Sequence, residues 1–269
     1  MTQDTRTAGD LLRRWRHQRR LSQLALAVEA EISQRHLSYV ESGRAQPSRE
    51  MVTRLTEVLR LPLRERNAVL LAAGYAPVFP RRDFDAPDFT RAREAIGQIL
   101  DAHQPHPALA VDRYWTLIRA NTAALALMQG ASGALTTPPV NVLRLSLSPD
   151  GLAGRVLNLA EWRTHVLARL ARDVDTSGDP RLAALLEELK SMPGPQAAAP
   201  EQRIDDRSLA VPLRLASPAG PLAFISTTTV FGTAVDVTLS EITIETFFPA
   251  DAETARALRS TDPDSPPGT

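Results

Sequence analysis

Residues 21–44, LSQLALAVEAEISQRHLSYVESGR, read as two short helices joined by a tight turn. Ser22 stands where a hydroxyl accepts from a free backbone N–H of the first turn, and Leu24, Ala27 and Val28 then fall on one apolar face. Ser33 repeats the device at the second helix. After it Leu37 and Val40, three apart, point inward and leave Gln34, Arg35, Ser38 and Tyr39 on the outer surface. Side chains of these types hydrogen-bond base edges and phosphates, and a helix of this length fits a major groove. The same spacing also describes an ordinary antiparallel helix pair, so the flanks have to decide.

Upstream, Leu11, Leu12 and Trp15 recur at helical spacing, while Arg13, Arg14, Arg16, Arg19 and Arg20 crowd the rest of that helix and the turn after it. Downstream, Gly43 suits the left-handed residue at a helix C-terminus, Pro47 suits a stop, and Ser48 caps a fourth helix carrying Met51, Leu55 and Leu59. A fifth helix starts at Pro62 and stops at Gly74. Five short helices with the pattern SQ...LA...SQ..LS.VESGR..PS resemble the lambda-repressor and Cro-like (XRE) DNA-binding domain. The resemblance implies that Gln23 contacts phosphate or base, and that Ser33, Gln34, Arg35 and Tyr39 face the groove with Ser38 and Arg44 beside them. It also implies a structural role for Glu41, within the domain's own hydrogen bonding. One departure stands out: the turn that often carries glycine in this family carries Glu31 here. A left-handed non-glycine residue costs about 1 kcal/mol, and its carboxylate is expected to point away from a phosphate backbone.

The chain is 269 residues long, too long for one five-helix domain, and its 43% hydrophobic content supplies a second core. Cysteine is absent, which excludes disulfides, thiolate zinc sites and a cysteine nucleophile, and fits a reducing compartment. The N-terminus MTQDTRTAGD lacks a basic start followed by an apolar run, and no stretch approaches the roughly 18 apolar residues of a membrane span. A cytoplasmic protein with no membrane partner is expected. The formal net charge is zero, but residues 1–77 hold 13 arginines against 8 acidic residues, whereas residues 78–269 hold 18 basic and 23 acidic ones. The basic head is therefore the part that attracts phosphate.

Residues 76–89, APVFPRRDFDAPDF, interrupt helical periodicity with three prolines and read as a linker. Residues 91–103 form one more helix, with Ala92, Ala95, Ile96, Ile99 and Leu100 on its apolar face. Residues 107–119 are strand-like with a turn near Asp112 and Arg113, and ANTAALALMQG after them is helical. Helices follow over 140–147, 158–173 and 180–192, then a loop, PGPQAAAP, at 193–200. The end is β-rich: 208–215 alternates Leu209, Val211, Leu213 and Leu215, 222–231 is threonine-rich, and 235–248 contains a long strand. Two early strands, a helical excursion and three antiparallel strands describe a PAS-like order, one sheet covered by helices. The expected division is a five-helix head over 1–77, a linker and connecting helix over 78–106, a PAS-like α+β domain over 107–259, and a disordered tail over 260–269.

The stretches PSREMVTRLTEVLRLPLRERNAVLLAAGYAPVF, PPVNVLRLSLSPDGLAGRVLNLAEWR and STTTVFGTAVDVTLSEITIETFFPADAETA are similar to the MmyB-like family of bacterial transcription regulators. That resemblance spans roughly residues 8–259 and implies an XRE head on a PAS-like ligand-binding domain, with lipid-like or fatty-acyl molecules as the ligand class. Residues suited to line an apolar cavity are Trp115, Leu143, Leu147, Trp162, Val166, Phe224 and Phe247, although residues of these types are more often plain core. Arg144, Arg155 and Asn158 flank a leucine-rich helical segment and could hold an acidic ligand head; alternatively Arg144 and Arg155 pair at the surface with Asp150 or Glu161.

Catalysis has little support. His103 and His106 form H-x-x-H beside prolines without a third metal ligand, and no G-x-S-x-G elbow or phosphate-binding glycine loop occurs. No catalytic residue, metal or cofactor is expected beyond a bound fatty acid or similar molecule. The expectation is a homodimeric regulator that binds a double-stranded operator through two half-sites about 34 Å apart and responds to a small apolar ligand. A C-terminal domain serving only protein interaction or dimerisation is the competing class, and an enzyme fused to a DNA-binding head the third.

Overall fold

The computed structural model describes residues 6–195, 210–218 and 220–260, which fall into two compact units. The first comprises the N-terminal residues through Phe89 together with 232–240; the second holds Thr90–Phe231 and the residues from Glu241 onward.

Five helices build the first unit: α1 (Ala8–Gln18), α2 (Gln23–Glu29), α3 (Gln34–Glu41), α4 (Arg49–Val58) and α5 (Leu63–Ala72). Side-chain hydroxyls start four of them. Thr7, Ser22, Ser33 and Ser48 accept from the backbone N–H of Asp10, Ala25, His36 and Met51, and Asp10 returns a bond to the Thr7 N–H to complete a capping box. The core gathers Leu12, Trp15, Leu26, Leu37, Val40, Val52, Leu55 and Leu59. The inward face of α2 differs from the expected one. Leu26, Ala27 and Ala30 are buried, while Leu24 and Val28 are 56% and 68% exposed. Both sets have helical spacing, and small Ala27 and Ala30 let α2 pack closely on α3 and α4. Glu31 adopts φ +54° in the turn before α3, the left-handed position anticipated for it.

Helix α5 ends at Ala72 with Gly74 at φ +82°. The chain beyond it is clamped by Asn67, whose amide donates to the Phe79 carbonyl at 2.7 Å and accepts from Val78 and Phe79 N–H at 3.0 and 3.1 Å.

The second unit opens with α6 (Thr90–Asp101), so the connecting helix belongs to the larger unit. Next come β1 (Ala108–Val111), β2 (Leu117–Ala120), α7 (Thr122–Met128), α8 (Gly133–Thr136), α9 (Val142–Leu147), α10 (Leu159–Ser177) and α11 (Pro180–Ser191). The chain ends with β3 (Leu213–Ser217), β4 (Gly220–Val230), α12 (Val237–Ser240), β5 (Thr243–Pro249) and α13 (Ala252–Ser260), α12 lying in the first unit. The strands form one antiparallel sheet in the order β2-β1-β5-β4-β3. Its core lies between Leu109, Val111, Leu213, Leu215, Leu222 and Phe224 of the sheet and a layer from α9, α10 and α11 that includes Leu147, Leu170, Leu185 and Leu189.

Several boundaries differ from the sequence reading. The strand expected within 235–248 is β5, and it begins only at Thr243, because Asp236 accepts from the Leu239 N–H at 3.2 Å and starts α12 ahead of it. Helix α10 continues past Asp173 to Ser177 and stops at Gly178, φ +62°. Strand β3 begins at Leu213, and Leu209, like most of the 193–200 loop, lies outside the described residues. Ser260 closes α13, a helix that Asp251 starts by accepting from Thr254 N–H at 2.7 Å; the rest of the expected disordered tail, 261–269, is also outside them.

Candidate nucleic-acid interface and ligand cavity

On the first unit, Ser33, Gln34 and Arg35 are exposed at the start of α3, Ser38 and Tyr39 are half-buried on the same helix, and Arg44 is exposed just past its end. Arg35 is already oriented: its Nε donates to the Tyr39 hydroxyl at 3.0 Å, and its guanidinium carbon lies 5.4 Å from the Tyr39 ring centroid. A restrained arginine loses less freedom on meeting a base edge or phosphate.

Glu41 holds the frame behind this surface. Arg16 donates to it through Nε and Nη2 at 2.6 and 2.8 Å, and Gln23 Nε2 donates to Oε2 at 2.8 Å. Burial acts to raise the Glu41 carboxyl, but the hydrogen bonds from Arg16 and Gln23 and the Arg16 charge outweigh it and hold the group below its usual range. Gln23, expected at the DNA, thus spends its amide N–H on Glu41. The Glu31 carboxylate lies 3.5 Å from Arg54 of α4 in an exposed pair.

The second unit encloses a cavity of about 100 Å³. Leu109 of β1, Trp115, Leu143 of α9, Trp162 and Val166 of α10, and Phe247 of β5 supply much of its apolar wall, with Leu127 and Met128 of α7. The register brings the sheet residues together: Glu245 faces Leu109 on one side and Thr228 on the other, and Phe247 faces Ser226. Trp115 reaches the cavity from a tight turn at φ +63°. The Asp112 carboxylate secures that turn by accepting from Tyr114 and Thr116 N–H, both at 2.8 Å.

An ion pair between half-buried Arg169 and buried Glu245 marks the polar part of the lining. Arg169 donates from Nη1 to Glu245 Oε2 at 3.0 Å and from Nη2 to Oε1, and also reaches the Thr228 hydroxyl at 3.0 Å. Its guanidinium lies 4.5 Å from the Trp115 ring centroid. His165, one helical turn earlier, stacks on Trp162 with centroids 5.5 Å apart. Burial, followed by the charges of Arg169 and Arg172, lowers the His165 pKa.

Five of the ten residues expected around a ligand, Trp115, Leu143, Trp162, Val166 and Phe247, line this cavity. Leu147 and Phe224 are fully buried core and absent from the lining. The three polar candidates are also elsewhere. Arg144 pairs with Glu188 at 2.6 and 2.7 Å on an exposed surface. Arg155 donates to the carbonyls of Leu127, Gln129 and Ala216. Asn158 bonds Glu161, the Pro212 carbonyl and the Arg214 N–H. Each is occupied in holding chain segments together. The polar residues in the lining are instead Ser146, His165, Arg169, Ser226 and Glu245. A signal for two of them was present: Trp162, His165, Val166 and Arg169 recur at steps of three, one and three along one helix face. Glu245 gave none, since an acidic residue in a strand reads as solvent-facing until a cation is found opposite it.

Among the described residues no helix is long and apolar enough to cross a membrane, and no group of histidine and acidic side chains is arranged to hold a metal. Residues 7–69 match a helix-turn-helix domain model, and residues 92–260 match the MmyB-like transcription regulator ligand binding domain. No curated protein matches the chain. With a helix-turn-helix match over its first unit, a cavity in the second, and a ligand-domain match over more than half its length, the chain belongs to the MmyB-like transcription regulators.

Proposed function

We propose that this protein is a cytoplasmic, homodimeric regulator that binds a two-half-site operator through α3 and changes its affinity for that operator when a small, fatty-acyl-like molecule occupies the cavity of the second unit. The observation that carries the reading is the apolar cavity itself, walled by Leu109, Trp115, Leu143, Trp162, Val166 and Phe247. Gln34 and Arg35 are the base-reading pair, with Ser33, Ser38, Tyr39 and Arg44 fixing register on the backbone. Two copies are needed because one recognition helix reads too few base pairs to define a site. Ligand acts through its differential affinity for two arrangements of the dimer, which typically couples sites by about 1–3 kcal/mol.

The test is sequencing of DNA fragments retained by the purified protein, with and without added lipid extract, alongside native mass spectrometry. Enrichment of an inverted repeat whose occupancy changes with extract, and a mass increment lost on extraction, are the expected results. An operator whose occupancy no extract alters, bound by protein free of any increment, would instead assign the second unit to protein interaction or dimerisation.

A further inference from the structure

The charge balance inside the cavity bears on what a ligand's polar end can be. Arg169 and Glu245 neutralise one another through two hydrogen bonds, and both are largely withdrawn from water, with 22% and 6% of their side chains exposed. A carboxylate entering this end would meet Glu245, while Arg169, the one arginine among the lining residues, is already paired; Arg144 and Arg155 are engaged elsewhere, and Arg172, whose charge reaches His165, does not line the cavity. Asp173, which accepts from Trp115 Nε1 at 3.2 Å, adds no positive charge either. Burial, followed by the charges of Arg169 and Arg172, lowers the His165 pKa and so favours its neutral ring.

The lining does offer free hydrogen-bonding capacity. Among the described residues, neither the ring nitrogens of His165 nor the hydroxyl of Ser226 makes a hydrogen bond, and both residues line the cavity. His165 precedes Arg169 by one turn of α10, and Ser226 shares a sheet face with Thr228, so both adjoin the Arg169–Glu245 pair along their own elements. A neutral imidazole supplies one donor and one acceptor, and a hydroxyl supplies both.

Resting on the reading of this cavity as the ligand site, we propose that it selects an apolar chain ending in an uncharged hydrogen-bonding group, a hydroxyl, carbonyl or amide, held by His165 and Ser226, and discriminates against the corresponding carboxylate. The apolar walls accept the chain from either molecule. The head decides between them, because an ionised head loses its hydration without gaining a counter-ion.

The experiment is a titration of the full-length protein at about pH 8, where a carboxylic acid is ionised, with 1-decanol and decanoate as matched probes. Fluorescence of Trp115 and Trp162 in the cavity wall reports binding. Decanol is expected to bind more tightly by about 10-fold, and Ser226→Ala to weaken decanol by about 5-fold with little change for decanoate. Glu245→Gln frees the Arg169 charge and is expected to turn the preference toward decanoate. If decanoate binds the wild type as tightly as decanol, the uncharged-head proposal falls while the cavity stands as a ligand site. If neither probe changes the fluorescence at saturation, the ligand-site reading falls with it. Should Glu245→Gln not fold, the wild-type ratio and Ser226→Ala still decide: equal affinity of both probes, or no loss of decanol binding in Ser226→Ala, overturns the proposal.

Discussion

Gln34 and Arg35 stand side by side at the exposed start of α3, and they differ in what they cost the protein to present. Arg35 is held against Tyr39 by a hydrogen bond and by the ring face, whereas the Gln34 side chain makes no described hydrogen bond. Alanine at either position is expected to weaken operator binding by about 1–3 kcal/mol for a lost bidentate base contact, measured by mobility shift against Glu187→Ala as a distant control. Tyr39→Phe should weaken binding by less, because it loosens Arg35 without removing it. The buried acid behind them behaves differently. Removing the Glu41 carboxylate strands Arg16, which is 6% exposed, so Glu41→Ala is expected to destabilise the first unit by about 3–5 kcal/mol in a thermal or denaturant melt. The pH dependence follows from the same geometry. Glu41 has a folded pKa below its reference value of 4.5, so its stabilisation is present above that value and is lost as pH falls from there through the folded pKa. Melts at descending pH should show the wild type losing stability in this window, and Glu41→Gln, already destabilised, losing less.

At the scale of elements, the order of helices and strands was written in caps and periodicity, while the choice of face was not. Ser22, Ser33 and Ser48 announced three helix starts correctly because a capping hydroxyl is a local signal. Local spacing could not choose between Leu24 with Val28 and Leu26 with Ala30 as the inner side of α2, since both satisfy the helical period and only packing on α3 and α4 separates them. The cavity shows the same division. Large apolar residues were recognisable as candidates, but an arginine found on a leucine-rich segment was as suited to a ligand as to a carbonyl or carboxylate across the fold. Glu188 and the Leu127 and Gln129 carbonyls, distant in sequence, are what occupied Arg144 and Arg155. Close approach of elements was equally hidden. A Cβ on Gly9 of α1 would lie 2.2 Å from the Val40 carbonyl oxygen of α3, a contact with backbone that no rotamer relieves. Gly9→Ala should therefore lower the melting temperature and reduce operator affinity together, although α1 carries none of the side chains proposed to read bases; alanine elsewhere in an exposed helix would usually stabilise it by up to about 1 kcal/mol.

For the molecule as a whole, the first unit extends beyond the five helices that define its sequence motif. Val237 is buried, its N–H donates to the Pro80 carbonyl at 2.9 Å, and Asp236 pairs with Arg82 at 3.1 Å, all within that unit. A fragment ending at residue 77 would lose these contacts and the Asn67 clamp on Val78 and Phe79, so it is expected to melt at a lower temperature than the first unit of the intact chain. Asn67→Ala in the full-length protein should reproduce part of that loss, about 2 kcal/mol for the three hydrogen bonds removed. The charge division makes a separate prediction for the intact chain. Its formal net charge is zero, so a protein whose field were uniform would show little salt dependence. Instead 13 arginines lie within residues 1–77, where 8 acidic residues include Glu41, already committed to Arg16. Operator affinity should fall steeply with salt, with a logarithmic slope of about −0.9 for each phosphate neutralised. Arg44→Ala, a backbone contact in this scheme, should make the slope shallower by about one while weakening specific and non-specific DNA alike, whereas Gln34→Ala should leave the slope unchanged and weaken the operator alone. A slope near zero for the full-length protein would mean that the acidic second part screens the head, and would remove the electrostatic basis for assigning DNA contact to α3.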